Sequence, residues 1–504
     1  MRARIGPYVP TVAGLSSVVA TESNRPGPIP PVASPTPKSA LPAGRRHPYW
    51  LPPALTMLAL GLWRLDEPEL WRDELFTWSA ITRPLPDAVR MLGEVDAVLG
   101  LYYLLMSGWT ALFGTGVVAL RLPSVLAMAV VAAIVARIGG ELLSPRAGML
   151  AGLVLCALPS ASRAAQEARP YAFAMLAAAA ATLLLGRALR RPSTGTWIWY
   201  AITLAVAGYV HLFAFTVVLG HAVAVVALTG FRKRSWVIAA TAASVAVAPV
   251  ALVGATQRAQ VAHLPLTAPE MLYTYPETLV GSAVVAGIAL AFAVPAAVRS
   301  PRIGWIAGAL VVVPAVALFA VGGAVHVFAP RYLVFTLVGW VVLAGAGVAR
   351  SKRPARWVSL ALIFLLGIPA QREMRMAQGH SDHGAAAAAR AITAQLRPDD
   401  GIVYEDVSWL RAAMDYYLPT DNRPRDVLLA RSAAAVGGFV AVECADPPAC
   451  LAGVSRLWVV HQDPYRPLRR MRPVKAAVIG TAYEQASRYR HGKLTVTVFT
   501  RVLR

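Results

Sequence analysis

The sequence predicts an all-α polytopic membrane protein: about eleven transmembrane helices (range 10–13), a large first external loop and a small C-terminal α/β extracytoplasmic domain. Composition is the first ground. Of the 504 residues, 57% are hydrophobic and 15% charged, with a mean hydropathy of +0.54, whereas a soluble domain is about a quarter charged. Apolar run length is the second ground. The stretches 237–253, 280–298, 303–321 and 333–348 carry no water-facing stripe, and they approach the ~20 residues that cross a ~30 Å hydrocarbon layer. The third is the placing of a net charge of +22. In a soluble chain it would point to nucleic acid. Here the basic residues sit between apolar runs, so membrane topology accounts for them and no nucleic-acid partner is implied.

Residues 1–47, rich in Pro, Ser, Thr and Gly, read as a disordered cytoplasmic tail. Candidate spans follow at 48–65, 122–138, 147–160, 169–186, 197–209, 213–229, 236–254, 279–298, 303–323, 332–348 and 355–370. Alternate connections fall into two sets. One (45–47, 137–146, 186–196, 230–235, 299–302 and 349–356) holds sixteen Lys/Arg and a single acid, Glu141. The other (66–121, 161–170, 255–278 and 324–331) holds eight Lys/Arg and eleven acids. The basic set belongs inside, which makes the N-terminus cytoplasmic and residues 371–504 external. Abundant Arg and Ala point to a bacterial chain, hence a bacterial plasma membrane. The apolar stretch 99–113 would invert the asymmetry if it crossed. It is therefore placed in the outer interface, anchored by Trp109, Tyr102 and Tyr103; a crossing compensated by another short helix is the alternative.

The chain thus divides into a tail at 1–47, a transmembrane domain at 48–370 with its first external loop at 66–121, and an extracytoplasmic domain at 371–504. In the last, a helix is expected over 385–396, a strand near 401–404, a helix over 409–417 and strands over 456–461 and 494–502. Cys444 and Cys450 flank a short Pro-rich loop in this exported region and suit a disulfide.

With the orientation set, the costly polar residues gather on the outer face. They are Asp73 and Glu74 among aromatics, Asp96, then Gln166-Glu167-Ala168-Arg169-Pro170-Tyr171, and Arg331-Tyr332 where a late span opens. Snorkelling Arg and capping acids are the plain reading of each one alone; their convergence on one face argues for chemistry. A carboxylate pressed against the membrane can take a proton from a hydroxyl nucleophile. Nearby arginines can clamp a phosphate leaving group. Apolar helices alongside can accept a lipid tail.

At these residues the sequence resembles the GT-C superfamily of integral-membrane glycosyltransferases, in particular bacterial mannosyltransferase-like members. Protein O-mannosyltransferases and aminoarabinose transferases are related branches. The resemblance runs through Asp73-Glu74, then Asp96 ahead of Tyr102-Tyr103, then Trp109, Leu112-Phe113-Gly114 and Arg121-Leu122-Pro123-Ser124, then Gln166 to Tyr171, and Arg331-Tyr332. It implies a polyprenyl-phosphate sugar donor, mannose or a similar sugar, and a glycan, glycolipid or protein acceptor, with inversion. It also implies Asp73 as general base or acceptor-orienting acid, with Glu74 as its catalytic partner. Asp96, Tyr102, Tyr103, Arg121, Glu167, Arg169, Tyr171, Arg331 and Tyr332 are implied to bind substrate, and Glu74 and Asp96 to assist or to hold a divalent metal ion. Val98 departs from the pattern, standing where the resemblance expects His; this bears on any metal or proton role there and on activity itself. A transporter or lipid flippase, and a non-catalytic lipid-binding relative, are the rival readings. His211 and His221 read as hydrogen-bonded core residues, and His263 and His326 as external.

Overall fold

The protein is described here by a computed structural model covering residues 48–229, 234–380 and 384–502. The tail expected over 1–47 and the basic residues Arg232 and Lys233 lie outside the described residues. Every expected span falls on a helix. Among the described residues, seven helices are long and apolar enough to cross a membrane. They are Val117–Leu142, Tyr171–Arg190, Leu212–Thr229, Arg234–Thr256, Pro301–Gly322, Pro330–Arg350 and Arg353–Glu373. Two more positions are taken by bent pairs, Pro145–Ala157 with Pro159–Ala165 at 76° and Glu270–Val280 with Ala283–Arg299 at 94°. The remaining two carry shorter helices, Leu51–Leu62 and Thr194–Val210.

The bends have local causes. Pro159 lacks the N–H that a continuing helix needs and pushes Leu158 into extended backbone, ψ 124°. In the second pair Gly281 takes φ +85°, which a side chain would oppose, and the Ser282 hydroxyl then caps the next helix through Val285 N–H.

We number the helices that frame the site α1 (Leu51–Leu62), α2 (Arg72–Ile81), α3 (Leu85–Glu94), α4 (Gly100–Phe113), α5 (Val117–Leu142), α6 (Pro145–Ala157), α7 (Pro159–Ala165) and α8 (Tyr171–Arg190). Helices in lipid pack through small residues. At Gly148 of α6 a Cβ would stand 2.0 Å from the Ala136 carbonyl oxygen of α5, so only glycine permits that approach. At the far end of α5, Glu141 pairs with Arg187 (2.6 Å) and with Arg190 of α8. The lone acid of the basic connections therefore ties two spans together.

The stretch 97–113 forms a short 3-10 turn and α4, which buries Tyr102, Tyr103 and Met106 and exposes Leu104, Leu105, Leu112 and Phe113. Such one-sided burial suits a helix lying at an interface.

The C-terminal region builds a five-stranded sheet in the order β2-β1-β5-β7-β6, from β1 (Gly401–Tyr404), β2 (Arg425–Asp426), β5 (Arg456–His461), β6 (Tyr483–His491) and β7 (Leu494–Arg501). A small separate pair is β3 (Leu429–Arg431) with β4 (Val442–Glu443). β1 runs parallel to β2 and β5, whereas β7 is antiparallel to β5 and β6. This sheet does not hang free. One hydrophobic cluster joins Leu75, Met91 and Tyr102 of the first loop to Trp409, Met414 and Trp458 of the C-terminal region. The Glu69 carboxylate accepts from Ala385 N–H (2.8 Å) and Ala386 N–H (3.2 Å), capping the Ala385–Ala394 helix from the first loop. Cys444 and Cys450 are joined in a disulfide.

Gly148→Ala is expected to cost about 1–3 kcal/mol by overpacking and to lower the thermal unfolding midpoint in detergent. Gly287→Ala, whose Cβ would meet nothing within 4 Å, is expected to leave the midpoint unchanged.

Candidate active site

The site is built around a buried ion pair. Glu74 and Arg121 are both fully buried, with Arg121 Nη2 2.8 Å and Nε 2.9 Å from the carboxylate. Arg121 also donates to the carbonyls of Leu65 (2.9 Å), Pro68 (2.8 Å) and Glu69 (3.2 Å). All its donor nitrogens are thereby engaged, which is what burial of a guanidinium demands. Glu74 receives in addition Ala168 N–H at 2.8 Å and Trp71 N–H at 3.3 Å. Burial alone would raise the Glu74 carboxyl, but Arg121 overrides it and holds the group well below its ordinary 4.5.

The resemblance implied Glu74 as a catalytic partner and Arg121 as a substrate ligand; here the Glu74 oxygens are enclosed and occupied, and every Arg121 donor is engaged. Together they brace α2 against α5 and the turn between α7 and α8. Gln166 reinforces that turn, donating to the Gly61 and Trp63 carbonyls at 3.0 and 2.9 Å, and Ser124 bonds the Glu167 carbonyl at 2.7 Å.

The neighbouring acid faces the other way. The Asp73 side chain is 14% exposed and touches Arg72 at 3.3 Å, leaving oxygen lone pairs free. It lines a cavity of about 670 Å³ together with Phe76, Asp96, Arg169, Arg331 and Tyr332. Arg169 is anchored by Nη1 to the Asp73 carbonyl (3.4 Å) and the Thr77 hydroxyl (3.3 Å). The Nε atoms of Arg169 and Arg331 are buried without a partner among the described residues. Arg331 lies over the Tyr332 ring at 5.3 Å.

Asp96 adopts a left-handed backbone, φ +57°, and accepts from the Tyr103 hydroxyl at 2.6 Å. Gln260 and Gln257 secure that turn by accepting from Asp96 N–H (3.3 Å) and Ala97 N–H (2.9 Å). Burial pushes the Asp96 carboxyl above its ordinary value, Tyr103 and Arg169 pull it partly back, and Asp73 adds to the rise.

The structure thus brings Asp73, Asp96, Arg169, Arg331 and Tyr332 into one cavity, with Tyr103 directly behind it. Tyr102 is core, its ring edge-on to Phe173 at 5.8 Å. Glu167, paired with Arg163 at 2.5 Å, and Tyr171 line an adjoining cavity of about 310 Å³ that Arg331 also borders. On the bundle side a groove of about 390 Å³ shares Asp96, Arg169 and Tyr332 with the main cavity and continues along Leu212, Phe213, Val325 and Val327. Val98 lines this groove and packs toward Gly254, so that position supplies apolar surface. The disulfide lies in the C-terminal region, away from the cavity lining.

Three contributors were not expected. His211, read as a core residue, borders the groove with its ring 5.5 Å from Tyr332 and Nδ1 unpartnered among the described residues. Ser408 and the 436–440 segment of the C-terminal region close the cavity from outside. The signal for that segment was the Gly437-Gly438 pair ahead of Phe439, where Gly437 takes φ +67°. His221, by contrast, is a core residue bonded to Thr182 and Tyr200.

A divalent ion was a further expectation. With Glu74 consumed, Asp73 and Asp96 remain, and no group of three His, Cys, Asp or Glu suited to a metal exists among the described residues. Among the described residues the side chains present do not form a protein-built metal site.

The geometry has counterparts. A family model described as dolichyl-phosphate-mannose-protein mannosyltransferase matches residues 100–253. The crystal structure of ArnT from Cupriavidus metallidurans in the apo state superposes with a TM-score of 0.62 at 14% identity, covering 88% of this chain and 97% of that one. Its undecaprenyl phosphate-bound form gives 0.59 at 14% identity, with the same coverage. The archaeal oligosaccharyltransferase AglB from Archaeoglobus fulgidus, in complex with an inhibitory peptide and a dolichol-phosphate, gives 0.50 at 11% identity over 89% and 73%. The chain has the GT-C fold. No curated protein matches the sequence.

Glu74→Gln keeps the shape of the side chain but strands the Arg121 charge, and is expected to cost about 3–5 kcal/mol in thermal or denaturant unfolding. The sign with pH follows from the depressed carboxyl. Its stabilisation is complete above the ordinary value of 4.5 and is lost as pH falls toward the depressed one. Native protein is therefore expected to lose stability more steeply in acid than Glu74→Gln.

Proposed function

We propose that the protein is a membrane glycosyltransferase that moves a sugar from a polyprenyl-phosphate donor to a hydroxyl of a glycan, glycolipid or protein acceptor, inverting the anomeric carbon. One observation carries the reading: an available carboxylate and two guanidiniums border a single cavity, and that cavity runs into an apolar groove between helices. The acceptor oxygen bonds the anomeric carbon as the bond from that carbon to the phosphate oxygen breaks. The phosphate departs with the electron pair, and the acceptor proton passes to Asp73. Arg169 and Arg331 hold the phosphate and stabilise the charge it gains, the more so because burial limits water around them. Asp96, held by Tyr103, orients the acceptor or the sugar hydroxyls. The groove along Leu212, Phe213 and Val327 takes the first isoprene units.

The donor class draws support from the ArnT structure bound to undecaprenyl phosphate, and mannose from the description of the matching family model. We place the cavity on the extracytoplasmic face of a bacterial plasma membrane, with the N-terminus cytoplasmic, because the acid-rich connections gather there.

In purified protein supplied with polyprenyl-phosphate mannose, Asp73→Asn is expected to reduce transfer by about 100-fold or more while donor binding persists. Undiminished turnover in that variant contradicts the role given to Asp73. Arg331→Ala is expected to raise the KM for donor more than it lowers kcat. The raised Asp96 carboxyl carries a pH signature, since the ionised form must be regained before it can orient a hydroxyl. Activity is expected to climb through a limb above the ordinary carboxylate value of 3.8, and Asp96→Asn is expected to flatten that limb at the low level.

A further inference from the structure

A second cavity opens on the outer side of α2. It has a volume of about 350 Å³ and is bordered by Trp78, Tyr404, Arg411, Asp415, Arg423 and Phe439. We propose that it binds a neutral carbohydrate, the sugar preceding or following the acceptor hydroxyl in a glycan chain; the acceptor assignment rests on the transferase reading above, the carbohydrate site itself on the lining.

Position is the first argument. Phe439 borders both this cavity and the larger one that Asp73 lines, so the two are neighbours. Helix α2 serves both, giving Asp73 and Phe76 to one and Trp78 to the other. A chain lying in the second cavity would present its next unit to the first. The donor's apolar tail belongs on the opposite side, along the groove between helices.

Charge is the second. Arg411 is neutralised by Asp426 at 2.6 Å and Glu443 at 3.1 Å, and Arg423 stands 3.7 Å from Asp415. Arg425 lines the cavity as well, and the three arginines stand against three carboxylates, Asp415, Asp426 and the Glu443 that pairs with Arg411, so the local charge is close to balanced. What remains is hydrogen-bonding capacity. The Asp415 carboxylate sits beyond hydrogen-bond reach of Arg423, and its side chain is 52% exposed. Two acceptor oxygens on a rigid helix suit a pair of adjacent hydroxyls.

Shape is the third. Trp78 is held edge-on to Tyr416 at 5.3 Å, and Phe439 is set by Phe76 at 4.8 Å and by Arg83 at 5.6 Å. Fixed aromatic faces beside acceptor oxygens recognise a pyranose, whose C–H face is apolar and whose rim is polyhydroxylated.

The test uses the full chain in nanodiscs, without donor, and saturation-transfer NMR with a linear mannose trisaccharide as probe. A Ser/Thr-containing pentapeptide serves as the rival probe. Saturable trisaccharide binding is expected, weakened by about tenfold or more, the scale of one charged hydrogen bond, in Asp415→Ala and in Trp78→Phe. No trisaccharide binding, native affinity in both cavity variants, or binding of the pentapeptide lost in Asp415→Ala would overturn the proposal. Asp415-dependent trisaccharide binding without sugar transfer from any polyprenyl-phosphate donor leaves the carbohydrate site standing and removes the transferase reading.

Discussion

The buried pair of Glu74 and Arg121 is the constraint on which the site depends. Arg121 stands in the first turns of α5, and Glu74 in the first turn of α2. Their contact fixes the rotation of α2 about its axis. Successive residues on a helix point about 100° apart, so a glutamate turned fully inward makes its neighbour face outward. Asp73 is that neighbour. An ion pair so deeply buried persists only when its remaining donors and acceptors are met, and here backbone carbonyls and the Ala168 N–H meet them. The same brace therefore sets the turn that carries Arg169.

From this arrangement a division of labour follows between adjacent acids. One carboxylate is locked below its ordinary range by a guanidinium and holds structure; the other keeps free lone pairs at a cavity wall. Arg169 and Arg331 come from turns far apart in sequence, yet both border the same cavity, and each has a buried Nε unpartnered among the described residues. Such unmet donors cost free energy unless a ligand supplies acceptors, and a phosphate supplies several. The apolar groove beside them then accounts for the remainder of a lipid-phosphate donor.

The fold was largely legible because hydrophobic length and charge placement are strong signals. Runs such as Val117–Leu142 and Pro330–Arg350, and the buried strands β5 and β7, announce themselves by apolar residues alone. β6 went unseen because it is an edge strand of mostly exposed polar residues, whose alternation over 487–491 falls on Ser, Arg, Tyr and His rather than on apolar side chains. The site was legible as a set of residues but not as a set of roles. Asp73-Glu74 reads identically in either assignment until the inward residue is known. The resemblance implied Arg121 as a substrate ligand, whereas the Glu74 carboxylate and three backbone carbonyls already occupy its donors. The 436–440 segment carries no charge, and only the shared core between the first loop and the C-terminal sheet brings it to the cavity.

Asp73 and Arg331, distant in sequence, must face one cavity on one side of the membrane for any of this chemistry to occur. Paired cysteines at these two positions, introduced as Asp73→Cys and Arg331→Cys, test it through a short bifunctional thiol reagent on sealed vesicles. Cys156 is buried, and Cys444 and Cys450 are bonded to each other, so the background is quiet. The expected result is an intramolecular cross-link formed from one side of the bilayer and suppressed by added polyprenyl phosphate. Labelling of the two positions from opposite sides would contradict it.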